Sequence, residues 1–129
     1  MSKKIIFVDD SKTVLLSAEI ALEKLVNSNN NIEVIYYNNP ENLIADVENG
    51  LTYDLCVTDI NMPEMNGFEL ALNLKNIQSV KTKPIIALTT ENSPEMKETG
   101  KKVGFAGWLT KPFSEEKLVM ALKRVLRIR

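Results

Sequence analysis

The sequence has 129 residues with 16 basic and 17 acidic side chains, so its formal net charge is −1. This length predicts one domain with its own hydrophobic core, and the near-neutral charge argues against nucleic acid as an obligatory partner. One cysteine excludes a disulfide framework, and the lack of histidine excludes histidine-based catalysis and histidine zinc sites. Any bound metal must therefore be a hard cation with oxygen ligands.

Short apolar runs alternate with amphipathic stretches along the chain. Strands are predicted at residues 5–8, 32–36, 53–58, 84–88 and 105–109. The predicted helices cover residues 13–26, the segment from an Asn39 cap to Gly50, residues 68–75, the segment from a Ser93 cap to Gly104, and the segment from a Ser114 cap to Leu126. Residues 27–31 are interpreted as a surface loop because of their asparagine and serine content.

This alternation predicts an α/β fold with a parallel sheet and helices on both faces. The first, third and fourth strands are the most continuously apolar, so we expect them at the centre of the sheet. The second strand alternates in polarity, which is typical of an edge. The pattern predicts a (βα)5 flavodoxin-like domain over residues 1–129, with strand order 2-1-3-4-5 and no output domain.

Two further features come from local composition. The four-residue apolar run at 5–8 is too short for a signal peptide, and no stretch approaches membrane-spanning length, so we expect a cytoplasmic protein without a membrane partner. The fourth helix has few apolar residues, chiefly Met96 and Val103, and it contains Gly100, which costs roughly 1 kcal/mol relative to alanine. This composition predicts a mobile helix.

Polar side chains stand where the predicted strands end. Asp9 and Asp10 follow the first strand, Asp59 the third, Thr89 the fourth and Lys111 the fifth. Because the carboxyl ends of parallel strands share one edge of the sheet, we expect these groups to converge there.

Such a cluster needs compensation, since two carboxylates about 4 Å apart repel by about 4 kcal/mol at an effective dielectric of 20. A divalent cation between the acids, or Lys111 against Asp59, would supply it. A half-open magnesium site beside an ammonium and a hydroxyl suits a phosphoryl group. Asp59 is then a candidate nucleophile that forms an acyl phosphate.

The residues at these positions are similar to those of a known protein family. Asp9-Asp10, the segment 59–67, Thr89 and Lys111-Pro112-Phe113 match the receiver domain of bacterial two-component response regulators in order and in strand position. The segments 87–91 and 107–113 are most similar to the stand-alone chemotaxis regulators of the CheY type.

The resemblance implies Asp59 as the phosphoacceptor and Mg²⁺, for which Mn²⁺ could substitute, as the cofactor. The metal ligands it implies are the carboxylates of Asp10 and Asp59, the backbone carbonyl of Asn61, and Asp9 mainly through water.

It also implies that Lys111 contacts the phosphoryl group, that Thr89 hydrogen-bonds to it, and that the Lys111–Pro112 bond is cis. Trp108 occupies the switch position, where the family usually has tyrosine or phenylalanine. In the family, movement of the hydroxyl residue, here Thr89, lets this ring turn inward and changes the partner preference of the face formed by the fourth helix, fifth strand and fifth helix. Thr90 is bulkier than the residue often found there, and we expect it to crowd the attacking water.

The functional prediction is a monomeric receiver that accepts a phosphoryl group from a histidine kinase and binds a downstream protein, the flagellar motor switch if the pathway is chemotaxis. Three alternatives stay open: a phosphorelay receiver that passes the group to another histidine domain, a phosphatase of the haloacid-dehalogenase type, and a receiver-like binding module that is not phosphorylated. Adjacent acids at 9 and 10 disfavour the phosphatase, whose nucleophile lies in an Asp-x-Asp arrangement.

Charge is divided unevenly along the sequence. Residues 1–94 carry 7 basic and 13 acidic side chains, whereas residues 95–129 carry 9 basic and 4 acidic ones. A basic signalling face suits an acidic protein segment better than it suits DNA.

Overall fold

The structure, a computed structural model, describes residues 2–28 and 31–128 as alternating strands and helices. The strands are β1 (Lys3–Val8), β2 (Ile32–Tyr37), β3 (Leu55–Thr58), β4 (Ile85–Thr89) and β5 (Gly107–Thr110). The helices are α1 (Lys12–Ser28), α2 (Pro40–Glu48), α3 (Gly67–Lys75), α4 (Pro94–Val103) and α5 (Glu115–Leu126).

The strands form one parallel sheet in the order β2-β1-β3-β4-β5, which confirms the predicted flavodoxin-like architecture. Every residue of β3 and β4 is buried, and so are the last four residues of β1. The edge strands β2 and β5 are mostly half-exposed. Burial therefore follows strand position, as the apolar runs of the sequence predict.

The alternation of side chains along each strand divides the core between the two faces of the sheet. Ile5 and Phe7 of β1 point to one face, where they join the buried side of α1 and α5. Ile6 and Val8 point to the other, where they join the buried side of α2 and α3. Each fully buried large apolar side chain stabilises the fold by about 1.5–3 kcal/mol, so these two layers hold the sheet edge in place.

The predicted caps are confirmed for α2, α4 and α5. Asn39, Ser93 and Ser114 each accept a hydrogen bond from the backbone N–H three residues later. Gly104 ends α4 with φ of +99°, and Gly50 follows the end of α2 with φ of +111°, a conformation that favours glycine.

Some boundaries differ from those predicted. The fifth strand begins at Gly107 because the Phe105 N–H donates to the Gly100 carbonyl and completes the end of α4. Helix α1 continues through Ser28, since Leu25 and Val26 pack into the core, so residues 27 and 28 are helical rather than loop. The rest of that predicted loop includes residues 29 and 30, which lie outside the described residues. Within the described part of the chain, no helix has both the length and the apolar character to cross a membrane.

Candidate functional site

The backbone ladders carry the functional residues to one edge of the sheet. Asp9 and Asp59 extend β1 and β3 by one step each, because the Asp9 N–H donates to the Tyr37 carbonyl and the Asp59 N–H to the Val8 carbonyl, both across 3.0 Å. The Lys111 N–H donates to the Thr89 carbonyl across 2.8 Å, which ties the end of β5 to the end of β4. These bonds continue the pairing of neighbouring strands at the edge of the sheet where the functional residues lie.

Three carboxylates meet at this edge. Asp9, Asp10 and Asp59 each present a carboxylate oxygen within 4.8 Å of the others. Asp9 and Asp59 are buried, with exposed fractions of 2% and 8%, whereas Asp10 is exposed. The cluster therefore has a buried floor and one acid open to solvent.

Lys111 is the cation that lies against the buried acids. Its Nζ is 2.6 Å from Asp9 Oδ2 and 3.1 Å from Asp59 Oδ2. The predicted contact with Asp59 is present, but the shorter contact, with Asp9, was not predicted. One ammonium thus bridges two buried carboxylates and leaves excess negative charge at the edge.

Burial and ion pairing both affect the pKa values of Asp9 and Lys111. Burial raises the pKa of Asp9, although hydrogen bonds from Lys111 and from the Ser11 N–H oppose the shift. Burial lowers the pKa of Lys111, but its hydrogen bonds to the two acids and their charges outweigh burial, so this pKa is raised overall. Lys111 therefore stays protonated at neutral pH.

The segment after β3 folds tightly beneath Asp59. Asp59 Oδ1 accepts a hydrogen bond from the Ile60 N–H across 2.7 Å. A Cβ atom on Gly67 would lie 2.2 Å from the Asp59 carbonyl oxygen, so only glycine permits this approach. α3 starts here with a capping box, in which Asn66 and Glu69 exchange hydrogen bonds. The start of α3 thus holds the Asp59 backbone in place.

Glu91, in the loop between β4 and α4, connects three predicted site residues. Its backbone N–H donates to Thr89 Oγ1 across 3.2 Å, and its carbonyl accepts from Trp108 Nε1–H across 2.8 Å. Its carboxylate accepts from the Asn61 side-chain amide across 2.7 Å. The sequence did not single out Glu91 for any role.

Three further features concern the protein interior and the wall of the cleft beside the site. Cys56 is fully buried, and burial raises the pKa of its thiol to about 12, which is consistent with an inert core residue. The Lys111–Pro112 bond is cis, as the resemblance implied. Thr90 is exposed and lines, together with Lys111, Pro112 and Phe113, a cavity of about 560 Å³ between α1 and the start of α5.

Comparison with known proteins decides the family. The response regulator receiver domain family matches residues 5–123. The chain belongs to this family. As a receiver domain it is a signalling module in which Asp9, Asp10 and Asp59 form the acidic pocket.

Individual relatives support this membership. Protein PilG of Pseudomonas aeruginosa is 33% identical over 120 residues, which cover 93% of this chain and 84% of PilG. The chemotaxis protein CheY4 of Vibrio cholerae is 35% identical, superposes with a TM-score of 0.86, and is matched over 97% of this chain and 99% of its own. The receiver domain of the sensor histidine kinase PA1611 from Pseudomonas aeruginosa, described with a magnesium ion in its active site cleft, has a TM-score of 0.84 over 98% of this chain and 99% of its own at 22% identity, which shows the shared fold.

Other relatives are longer proteins. The chain spans 51% of the regulatory protein VanRc of Enterococcus gallinarum, at 32% identity over 98% of this chain. It spans 15% of the gliding motility regulatory protein of Myxococcus xanthus. Receiver domains similar to this one therefore occur in larger chains as well as in proteins of about its own length.

Within this receiver domain, sequence reasoning missed two residues that contact the predicted switch. Glu91 was missed because a glutamate in a loop is usually solvated, and nothing in its neighbours indicated a hydrogen-bond network. Gly100 was interpreted only as a weak point of α4, whereas the structure places it against the Trp108 ring. The sequence did contain one signal of this contact, namely a glycine in the middle of α4 followed by a large aromatic residue on the next strand.

Proposed function

We propose that this chain is a cytoplasmic receiver that accepts a phosphoryl group from the phosphohistidine of a histidine kinase onto Asp59. The observation that carries the proposal is the Lys111 ammonium, 3.1 Å from Asp59 Oδ2 within a group of three clustered carboxylates. If the charge of these acids were simply neutralised within the protein, none of them would need to be exposed to solvent, as Asp10 is. An open acid beside a buried acid–lysine pair suits an anion that arrives with a cation.

The donor set fits a magnesium ion, because all three groups offer hard oxygen ligands close together. We assign Asp10 and Asp59 as direct ligands, with the backbone carbonyl of Asn61, and Mn²⁺ as a possible substitute. We assign Asp9 as a ligand mainly through water, as the family resemblance implies; its Oδ2 accepts from Lys111 and its Oδ1 from the Ser11 N–H. When bound, the ion would neutralise negative charge on phosphoryl oxygens. The magnesium described for the PA1611 receiver supports this assignment.

The chain's own residues have distinct roles in the transfer. A carboxylate oxygen of Asp59 forms a bond to phosphorus while the phosphorus–nitrogen bond of the phosphohistidine breaks, and the electron pair returns to the imidazole nitrogen. Lys111 pairs with a phosphoryl oxygen while Asp9 keeps it in position. The Thr89 hydroxyl accepts from the Glu91 N–H and so retains its own proton to donate to another phosphoryl oxygen. The domain assists its own phosphorylation and dephosphorylation and turns over no separate substrate.

Output is a change in the face formed by α4, β5 and α5, through which a monomeric receiver binds its target protein. Lys101 and Lys102 are exposed in the last turn of α4, and Lys123 and Arg124 lie in the last turn of α5. We propose an acidic protein segment as the target, which would belong to the flagellar motor switch if the pathway is chemotaxis. The 35% identity with CheY4 supports that pathway. Charge reversal at Lys101 and Lys102 with no change in target binding would contradict a basic docking face.

The test is incubation with a small acyl phosphate and Mg²⁺, followed by intact-mass measurement. The mass should rise by one phosphoryl group, and Asp59→Asn should abolish the gain. Asp46→Asn is the matched control, because Asp46 lies on α2 and bonds only the Tyr37 hydroxyl among the described side chains. This control should keep the gain. No gain in the parent protein, or a gain that survives Asp59→Asn, would overturn the proposal.

A further inference from the structure

Gly100 lies in the middle of α4 and faces the indole of Trp108 on β5. It is the one buried residue among residues 94–103, all of which the structure describes. A Cβ atom added to Gly100 would lie 2.9 Å from Cζ3 and 3.1 Å from Cε3 of Trp108. Real Cβ atoms essentially never lie within 3.0 Å of another heavy atom, so a larger residue at position 100 requires that the indole or α4 shift.

The indole is also held on its other sides. Its ring centroid lies 6.3 Å from that of Phe68 and 6.3 Å from that of Phe105, and these two rings are 5.7 Å apart. Its Nε1–H donates to the Glu91 carbonyl across 2.8 Å. Displacing the ring away from α4 would therefore disturb an aromatic cluster and this hydrogen bond.

The hydrogen bond connects the indole to the acidic pocket. The Glu91 N–H donates to Thr89 Oγ1, and the Glu91 carboxylate accepts from Asn61, two residues beyond Asp59. The loop between β4 and α4, which binds Trp108 through Glu91, is thus hydrogen-bonded to Thr89 at the end of β4 and to Asn61 after β3. These bonds join Thr89 and Asn61, through Glu91, to the indole of Trp108.

We propose that Gly100 is a specificity-determining residue for the switch: it forms the seat on α4 that lets a tryptophan occupy the switch position, so that the family's switch between Thr89 and residue 108 acts on α4 through this seat. Movement of the switch rests on the proposed function, because phosphorylation of Asp59 would trigger it. The packing of Trp108 on Gly100 does not depend on phosphorylation. The pairing accounts for two features together, a tryptophan at the switch position and a glycine inside α4. Each is unfavourable alone, since the glycine weakens the helix and the indole needs space.

The seat is tested in the unphosphorylated protein, where Trp108 is the sole tryptophan of the sequence and its emission reports on itself alone. Gly100→Ala should shift the emission to longer wavelength and lower the melting temperature. In a Trp108→Ala background the same substitution should raise the melting temperature, because alanine favours helix over glycine once the clash is gone. Glu98→Ala, at an exposed α4 position, is the control and should leave the emission unchanged.

Unchanged emission in Gly100→Ala, or an equal gain in melting temperature in both backgrounds, would overturn the seat. If Gly100→Ala fails to fold, folding of the Gly100→Ala/Trp108→Ala double variant supports the seat and its failure to fold overturns it.

Transmission is tested after treatment with a small acyl phosphate and Mg²⁺, with phosphorylation measured separately by intact mass. At equal phosphorylation, the parent should show a change in Trp108 emission that is lost or strongly reduced in Gly100→Ala. The same change in both proteins would overturn transmission through the seat. If the parent gains no mass, the proposed function fails, and transmission from the phosphorylated pocket fails with it. The seat is then still judged by the emission and melting temperatures of the unphosphorylated protein.

Discussion

Lys111 donates to Asp9 across 2.6 Å, a shorter contact than the 3.1 Å that separates it from Asp59. The lysine is therefore anchored by the acid that is not the proposed phosphoacceptor. This arrangement lets Lys111 exchange its contact with Asp59 for a phosphoryl oxygen without leaving the pocket. It also leaves one ammonium to compensate three carboxylates, so the pocket stores electrostatic repulsion.

That repulsion predicts the effect of neutralising the exposed acid. We expect Asp10→Asn to raise the free energy of unfolding by on the order of 1 kcal/mol in metal-free buffer, because it removes one like charge from the cluster. The same change should reduce the further stabilisation that Mg²⁺ provides, since a ligand is lost. Urea denaturation with and without Mg²⁺ measures both effects. An Asp10→Asn variant that is less stable than the parent without metal would contradict this account.

Thr90 gives a prediction about the lifetime of the phosphorylated state. It is exposed and lines the cavity beside Lys111, so we expect its side chain to narrow the approach of water to Asp59. We expect Thr90→Ala to shorten the phosphoryl half-life severalfold, while Thr90→Val, which keeps the bulk, stays close to the parent. Decay of the phosphorylated mass with time measures the half-life. The same half-life in Thr90→Ala and parent would rule out crowding by this residue.

Two tyrosines respond differently to removal of the hydroxyl group. Tyr53 is buried, and among the described residues its hydroxyl has no hydrogen-bond partner. The Tyr37 hydroxyl donates to Asp46 Oδ2 across 2.6 Å. We expect Tyr53→Phe to leave the free energy of unfolding unchanged or raise it by about 1 kcal/mol, and Tyr37→Phe to lower it by about 1 kcal/mol. Equal losses in the two variants, measured by urea denaturation, would show that the Tyr53 hydroxyl has a partner after all.

The tyrosines also predict how stability depends on alkaline pH. Burial, with the nearby Glu19 charge, raises the pKa of Tyr36 to about 12. Burial, the hydrogen bond to Asp46 and its charge raise the pKa of Tyr37 to about 12. Burial also raises the pKa of Tyr53. Because each folded-state pKa exceeds the unfolded value, their stabilising contribution is complete below pH about 10 and is lost as pH rises toward about 12.

Absorbance near 295 nm (roughly the tyrosinate band) checks this expectation at pH about 10.5, where about three quarters of the tyrosine in the unfolded chain is ionised. The native protein should show almost no tyrosinate, and the signal should appear together with unfolding. Ionisation of one or more tyrosines in protein that is still folded at that pH would contradict the raised pKa values.

The sequence was sufficient for the architecture because the signals were global. Continuous apolar runs at β1, β3 and β4 indicated central strands, and the flavodoxin-like order, which fits this pattern, is confirmed. The convergence of Asp9, Asp59 and Lys111 could also be predicted, because residues that come directly after parallel strands lie at the same edge of the sheet. Neither inference needed the position of any single side chain.

Features that depend on the direction of a side chain or the path of a loop could not be predicted from the sequence. The preference of Lys111 for Asp9 is set by differences of tenths of an ångström at the end of a long, flexible side chain. The bonds of Glu91 depend on the course of the loop after β4, which no periodic pattern describes. Gly100 was interpreted by helix propensity, and only the packing of Trp108 against it shows why a glycine stands there.

The bond between Asp9 and Lys111 joins residues 102 positions apart in the chain. During synthesis from the amino terminus, all three acids of the pocket emerge long before the ammonium that balances two of them. In the folded chain, pairing of β5 with β4 places the counter-charge beside these acids. A chain that stops short of β5 would therefore keep its acids but lack the lysine that pairs with two of them.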